Sequence, residues 1–167
     1  DYCAEDVSAH ALALIMTCLR QTALRDRLVR QGEWNIHGVS FRLTGKVLGV
    51  LGFGRIARAL VKKTSGFGFS KVLVYDPYVP AEACAALGAQ KAELEEVMSQ
   101  CDFLSLHMPV TPQTTGMINR ETLALMKPTA ILVNTGRGPL VNDEALIEAL
   151  ENHKILAAGL DTHCVEP

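Results

Sequence analysis

Short apolar runs alternate along this chain with longer stretches whose apolar residues recur every three or four positions. The first kind covers 47–51, 71–75, 102–106, 130–134 and 155–161. Polar residues hardly interrupt these runs, so they read as strands buried on both faces. The second kind predicts helices: one long helix over 5–31, a second through Ile56, Ala59, Leu60 and Lys63, and short ones near 81–87 and 93–99. Two more cover 119–126 and 143–152, with Asn119 and Asn142 placed to cap them and Lys127-Pro128 closing the former. Strands alternating with helices on short connections predict an α/β fold, a doubly wound parallel sheet with right-handed crossovers.

The long first helix carries Val7, Ala11, Leu14, Ile15, Cys18 and Leu19 on one face, while Leu12 and Met16 lie off that stripe. An apolar middle wider than one stripe is expected either at a dimer interface or in ordinary core packing. A loop through Gly32, Trp34 and Gly38 then leads to the first strand.

That strand runs into Gly52-Phe53-Gly54-Arg55-Ile56-Ala57, a Gly-x-Gly-x-x-Ala turn between a strand and a helix. This context makes the pattern a dinucleotide-binding fingerprint. Gly52 permits the tight turn, Gly54 lets the backbone approach a pyrophosphate, and small Ala57 lets helix and strand pack closely. The helix start offers unpaired amides and a positive dipole end to an anion. Asp76 ends the second strand, 24 positions after Gly52. An acidic group there accepts from ribose hydroxyls and repels a 2′-phosphate, so the expected cofactor is NAD rather than NADP. The alternative is that Asp76 only opens the turn before Pro77.

Composition adds bounds. The 167 residues suit one domain, and 49% hydrophobic with 20% charged residues is a globular balance. A net charge of −2 gives no reason to expect nucleic acid or an anionic membrane as partner. Five scattered cysteines without a Cys-x-x-Cys pair predict reduced thiols, a cytoplasmic setting and no metal site. The chain starts without methionine and stops just after a predicted strand, which suggests a domain excised from a longer protein.

In open parallel sheets ligands bind beyond the carboxyl ends of the strands, here Gly52–Arg55, Asp76, 107–109, 134–137 and 161–166. Arg137, between two glycines, could fork onto a carboxylate or remain a solvated loop residue. Asp161 could accept from a carboxamide or simply form a turn. Glu166 reads as a surface carboxylate or as the orienting partner of a histidine. His163 and Cys164 are adjacent on an extended segment and point to opposite faces, which disfavours a shared site. His107 reads as structural, and His10, His37 and His153 have no partner to name.

These segments, together with Tyr75-Asp76-Pro77-Tyr78 and Leu106-His107-Met108-Pro109, resemble the D-isomer-specific 2-hydroxyacid dehydrogenases. So do Asn134-Thr135-Gly136-Arg137-Gly138, Leu160-Asp161 through Glu166-Pro167, and the helix from Ala4 to Leu14. The resemblance covers essentially the whole chain. It implies a Rossmann-like NAD-binding domain over 1–167, with 1–38 the leading helix and its connecting loop. It also implies a small 2-hydroxy or 2-oxo acid as substrate. The first helix adds the expectation of a homodimer, and the charge balance and absence of a long apolar run that of neither nucleic acid nor membrane as partner. By that resemblance Arg137 is the catalytic arginine, and Glu166 holds the acid/base histidine and raises its pKa. Asp161 faces the nicotinamide carboxamide, Arg55 and Ile56 lie along the pyrophosphate, Asp76 binds the ribose, and Pro109, Thr135 and Gly136 line the cofactor.

Departures from the pattern matter. The family's acid/base histidine follows the Glu-Pro step, whereas His163 precedes it, and Thr162-His163-Cys164 replaces the usual Val-Phe. The substrate domain is absent, so these residues alone are expected to bind NAD and turn over little. A second reading is an NAD-sensing, dimeric corepressor scaffold of the C-terminal-binding-protein kind, which Phe67-Gly68-Phe69 and Tyr75-Asp76-Pro77-Tyr78 also resemble. A third is a methyltransferase using S-adenosylmethionine. It leaves 134–138 and 161–166 without a role.

Overall fold

The computed structural model describes residues 3–34 and 40–166. Six strands, β1 (Val47–Leu51), β2 (Lys71–Tyr75), β3 (Gln90–Lys91), β4 (Phe103–Leu106), β5 (Ile131–Asn134) and β6 (Ala157–Leu160), form one sheet in the order β3-β2-β1-β4-β5-β6. Every neighbouring pair is parallel. The expected doubly wound sheet is therefore present, and its strand order reverses between β1 and β4.

Side-chain alternation builds two cores. Leu48, Val50, Phe103, Ile131 and Val133 point to one face, under α1 (Ala4–Arg20), α3 (Arg55–Thr64) and α4 (Ala81–Ala85). Leu51, Leu104, Leu106 and Leu132 point to the other, under α5 (Leu94–Gln100), α6 (Arg120–Leu125) and α7 (Asp143–Glu151). A strand covered on both sides needs apolar residues at consecutive positions, which is why the strand runs read as unbroken. Phe103 is clasped by Phe41 and Phe69, with ring centroids 5.9 and 5.8 Å away. The predicted caps hold: Asn119 accepts the Thr122 amide within a reciprocal capping box, and Asn142 accepts the Ala145 amide.

Three expectations need correction. The single helix over 5–31 is broken at Gln21, where φ is +52°, into α1 and α2 (Thr22–Arg30), whose axes differ by 54°. Ala11, Ile15 and Leu19 lie on the sheet, but no residue of α2 is buried, so nothing holds the helix along the core beyond Leu19. Arg25 Nε donates to the Arg20 carbonyl and satisfies an acceptor released at the break. The second correction is β3, a two-residue edge strand formed by exposed Gln90 and Lys91, which carries no apolar signal. The last strand is also shorter than its apolar run, and 138–140 forms a 3₁₀ turn.

Leu12 and Met16 pack partly against the chain's own core. No single helix among the described residues is long and apolar enough to cross a membrane. His37, Gly38 and Pro167 lie outside the described residues.

The amino-terminal edge of the sheet is tied by Asp102. Its backbone amide donates to the Val47 carbonyl at 2.9 Å, and its Oδ2 accepts the Val47 amide at 2.8 Å. Lys127 and Lys46 approach Oδ1 at 3.1 and 3.7 Å. Asp102 is buried, so its removal strands the Val47 amide. Asp102→Ala should lower unfolding free energy by about 2 kcal/mol in urea titrations, and Asp102→Asn, which keeps an acceptor, by about half that.

Candidate functional site

Because every strand is parallel, the loops after β1, β2, β4, β5 and β6 emerge along one edge. The β1–α3 turn lies closest to the switch in strand order. Gly52 adopts φ +84°, and a Cβ there would sit 2.9 Å from both the carbonyl carbon and the oxygen of His107. The turn is thus pressed against the peptide that leaves β4, and only glycine fits. Gly54 differs: a Cβ added there meets nothing within 4 Å. Open space in front of the α3 amides is what an approaching anion requires. Ala57 is fully buried behind the turn.

Asp76 is bound to this turn. Its Oδ2 accepts the Phe53 amide at 2.8 Å and its Oδ1 the Tyr78 amide at 2.9 Å. The turn-forming reading of this residue is thus realised at the Tyr78 amide, and the Phe53 contact joins its carboxylate to the glycine loop. A carboxylate has about four lone-pair sites, which leaves capacity for ribose hydroxyls. Gly52, Gly54, Asp76 and Pro109 line one cleft of 260 Å³ together with Tyr75, Tyr78, His107 and Met108. Thr111, Gln113, Thr114 and Met117 complete its wall, from a loop whose threonines bond one another and the Pro109 carbonyl. Arg55 lines an adjoining hollow, and Ile56 follows it in the first turn of α3. Arg58 braces the same loop, donating from Nε to the Phe53 carbonyl at 3.0 Å with its guanidinium 5.2 Å from the Phe53 ring centre. Neither Arg58 nor the threonine loop carries a sequence signal of its own.

The remaining predicted residues stand on β5 and β6. From β2 to β6 is four inter-strand steps, roughly 19 Å. Within that span β5 pairs directly with β4, whose exit at 107–109 lines the cleft, and a Cβ on Gly136 would lie 3.4 Å from the Leu106 carbonyl oxygen. Thr135, Gly136 and Arg137 therefore leave the strand next to the cleft, and Asp161 and Glu166 follow β6, one strand further along the same edge. Asn134 organises their first loop: its Oδ1 accepts the Gly136 amide at 3.0 Å, and its Nδ2 donates to the Arg137 carbonyl at 2.9 Å. Arg137 is exposed, and its Nη1 donates to the Gly136 carbonyl. A Cβ on Gly138 would lie 2.0 Å from the His163 carbonyl, so the Arg137 loop and the 161–166 segment touch backbone to backbone. Glu166 accepts the His163 amide at 3.2 Å.

Cys164 is not set up as a nucleophile. Burial first, and then the Asp143 carboxylate beside it, push its thiol above the usual range. Among the described residues no group of three His, Cys, Asp or Glu side chains is arranged to hold a metal ion.

The residues fit a dinucleotide on structural grounds: a glycine turn with open space before it, an acidic group bound to that turn, and unsatisfied groups at the far end. Thr135 Oγ1 and Thr162 Oγ1 are buried without a hydrogen-bond partner in the described structure. A buried hydroxyl left open beside a strand end is completed by a ligand's polar atom or by water.

His107, in the cleft wall, bonds through Nε2 to Ser105 Oγ at 2.8 Å. Burial pushes its pKa down to about 4, so the ring is neutral at pH 7. Folding thus disfavours protonation, and its contribution is intact above the ordinary value of 6.5 and lost as pH falls toward 4. The loss should be about 1–2 kcal/mol after allowing for the ring's partial exposure. His107→Gln should flatten that part of the stability–pH curve in urea titrations, and parallel curves for the two proteins would contradict the neutral ring.

Residues 12–167 match the family described as D-isomer specific 2-hydroxyacid dehydrogenase, NAD binding domain. A glyoxylate reductase of Pyrococcus furiosus is 42% identical over 166 residues, covering 95% of this chain and 49% of the relative. A D-3-phosphoglycerate dehydrogenase of Mycobacterium bovis is 40% identical over 159 residues, covering 95% of this chain and 30% of the relative. The D-lactate dehydrogenase of Lactobacillus jensenii, solved with NAD⁺, superposes with a TM-score of 0.89 at 34% identity, over 98% of this chain and 49% of that one. The chain thus spans half or less of the length of these relatives. By sequence and by fold, it belongs to the D-isomer-specific 2-hydroxyacid dehydrogenase family, whose NAD-binding domain it matches.

Proposed function

We propose that residues 1–167 act as the cofactor domain of an NAD-dependent oxidoreductase that acts on the CH–OH group of a small 2-hydroxy acid. The observation that carries this reading is the single edge on which the Gly52–Asp76 cleft and the Arg137 and Glu166 loops emerge. NAD supplies the hydride-exchanging carbon when bound. The chain's own residues bind and orient. The amides beyond Gly54 and the start of α3 at Arg55 and Ile56 face the diphosphate, and Asp76 takes the adenosine ribose. Pro109, Thr135 and Gly136 border the cofactor, and Asp161 accepts from its carboxamide.

Arg137 offers a planar fork to the substrate carboxylate and polarises the neighbouring 2-oxo group. Glu166 orients the histidine that moves the proton and favours its charged form. In this reading the histidine and the substrate-binding segments lie beyond the 167 residues, which bind NAD and need those parts for turnover. Relatives with dehydrogenase and reductase names support the enzymatic reading, and nothing among them supports a corepressor. A cytoplasmic homodimer is part of the same proposal. Five unpaired cysteines support the compartment, and the exposed apolar Leu24, Val29 and Trp34 support the dimer.

Asp76→Ala should weaken NAD binding about tenfold and narrow the preference over NADP. Calorimetric titration with both dinucleotides checks this, and unchanged discrimination would remove the ribose assignment. In the enzyme carrying this domain, Arg137→Lys should cut kcat about a hundredfold, because a point charge does not replace a fork. Steady-state assays on glyoxylate, hydroxypyruvate and pyruvate read this out, and near-normal turnover would discard the role.

A further inference from the structure

His10 on α1 faces Asp161, with Nε2 at 3.2 Å from Oδ1. Two rigid elements fix this pair. Residues 10, 14 and 18 share one face of α1, a turn apart. A Cβ on Gly159 of β6 would lie 3.1 Å from Leu14 Cβ and 3.2 Å from Cys18 Sγ, so helix and strand are in close contact there. One helical turn further toward the start of α1, His10 comes level with the end of β6. Asp161 is held there from the other side, since its amide donates to the Asn134 carbonyl at 3.0 Å.

Stability does not account for the pair. The two side chains are 47% and 49% exposed, and an ion pair so open to water contributes little to folding. The contact instead fixes which way the carboxylate faces. Oδ1 is engaged by the imidazole, and the remaining lone pairs stay available to a carboxamide N–H. Thr162 follows Asp161 in the chain and Thr135 follows Asn134, the β5 residue paired with Leu160, and the hydroxyls of both are without a partner in the described structure.

We propose that His10 is a positioning residue, which orients the Asp161 carboxylate and through it the nicotinamide end of the dinucleotide. This inference rests on the NAD-binding reading above and assigns no chemical step to the imidazole. It separates the two ends of the ligand: His10 matters to the nicotinamide half and is irrelevant to the adenosine half.

The test compares NADH with ADP-ribose, which lacks the nicotinamide, by calorimetric titration of the protein. His10→Ala should weaken NADH about three- to tenfold and leave ADP-ribose unchanged. His10→Gln, whose amide nitrogen can donate in place of Nε2, should restore most of the NADH affinity. Thermal unfolding of each variant monitors α1. Equal losses for both ligands would mean a merely structural helix, and no loss for either would mean an idle contact; both overturn the proposal. A parent protein that bound neither ligand would instead overturn the cofactor reading on which it rests.

Discussion

The contact on which the ligand-facing edge depends is the approach of the Gly52 backbone to the peptide leaving β4. With φ at +84° and no side chain, the β1–α3 turn lies flat across the end of the neighbouring strand. The Gly52 amide donates to the Tyr75 carbonyl at 2.8 Å, which joins the turn to β2 as well. The turn is thus fixed by strands on both sides before any side chain is considered. Asp76 then closes the arrangement by accepting the Phe53 amide. Glycine turn and acidic strand end are therefore one hydrogen-bonded unit, and this unit directs the α3 amides toward open space.

The second half of the edge is organised in another way. Around β5 the backbone is arranged by the Asn134 side chain, which bonds on both sides of the turn that carries Arg137. The cleft between Gly52 and Asp76 is walled by backbone, aromatic rings and a threonine loop, while the β5 and β6 loops present charge and orphaned hydroxyls. An apolar, preformed cleft at one end and polar groups at the other suit a ligand with one flat apolar ring system and one reactive, polar end.

Much of this was legible in the sequence, for identifiable reasons. Strands buried on both faces produce unbroken apolar runs, and the helix caps at Asn119 and Asn142 are local devices readable at a single position. The glycine turn and the acidic strand end were legible as features because a missing side chain and a charge are each read at a single position. What escaped reading depends on contacts distant along the chain. The break at Gln21 has no glycine or proline to mark it and follows from where the core ends. The edge strand β3 is built from exposed polar residues whose pairing with β2 supplies the only signal. Asp102 looked like the start of a strand, yet it joins residues 55 positions apart. His10 had no visible partner because Asp161 lies at the other end of the chain.

The contact between Gly138 and the His163 carbonyl bears on motion. Two loops whose backbones touch cannot swing separately, so Arg137 and Glu166 ride on a common rigid ledge. Any segment that closes over this edge meets both charges at a spacing set in advance. Its closing alters only how far that ledge is covered, and leaves the separation between guanidinium and carboxylate supports as the fold made it.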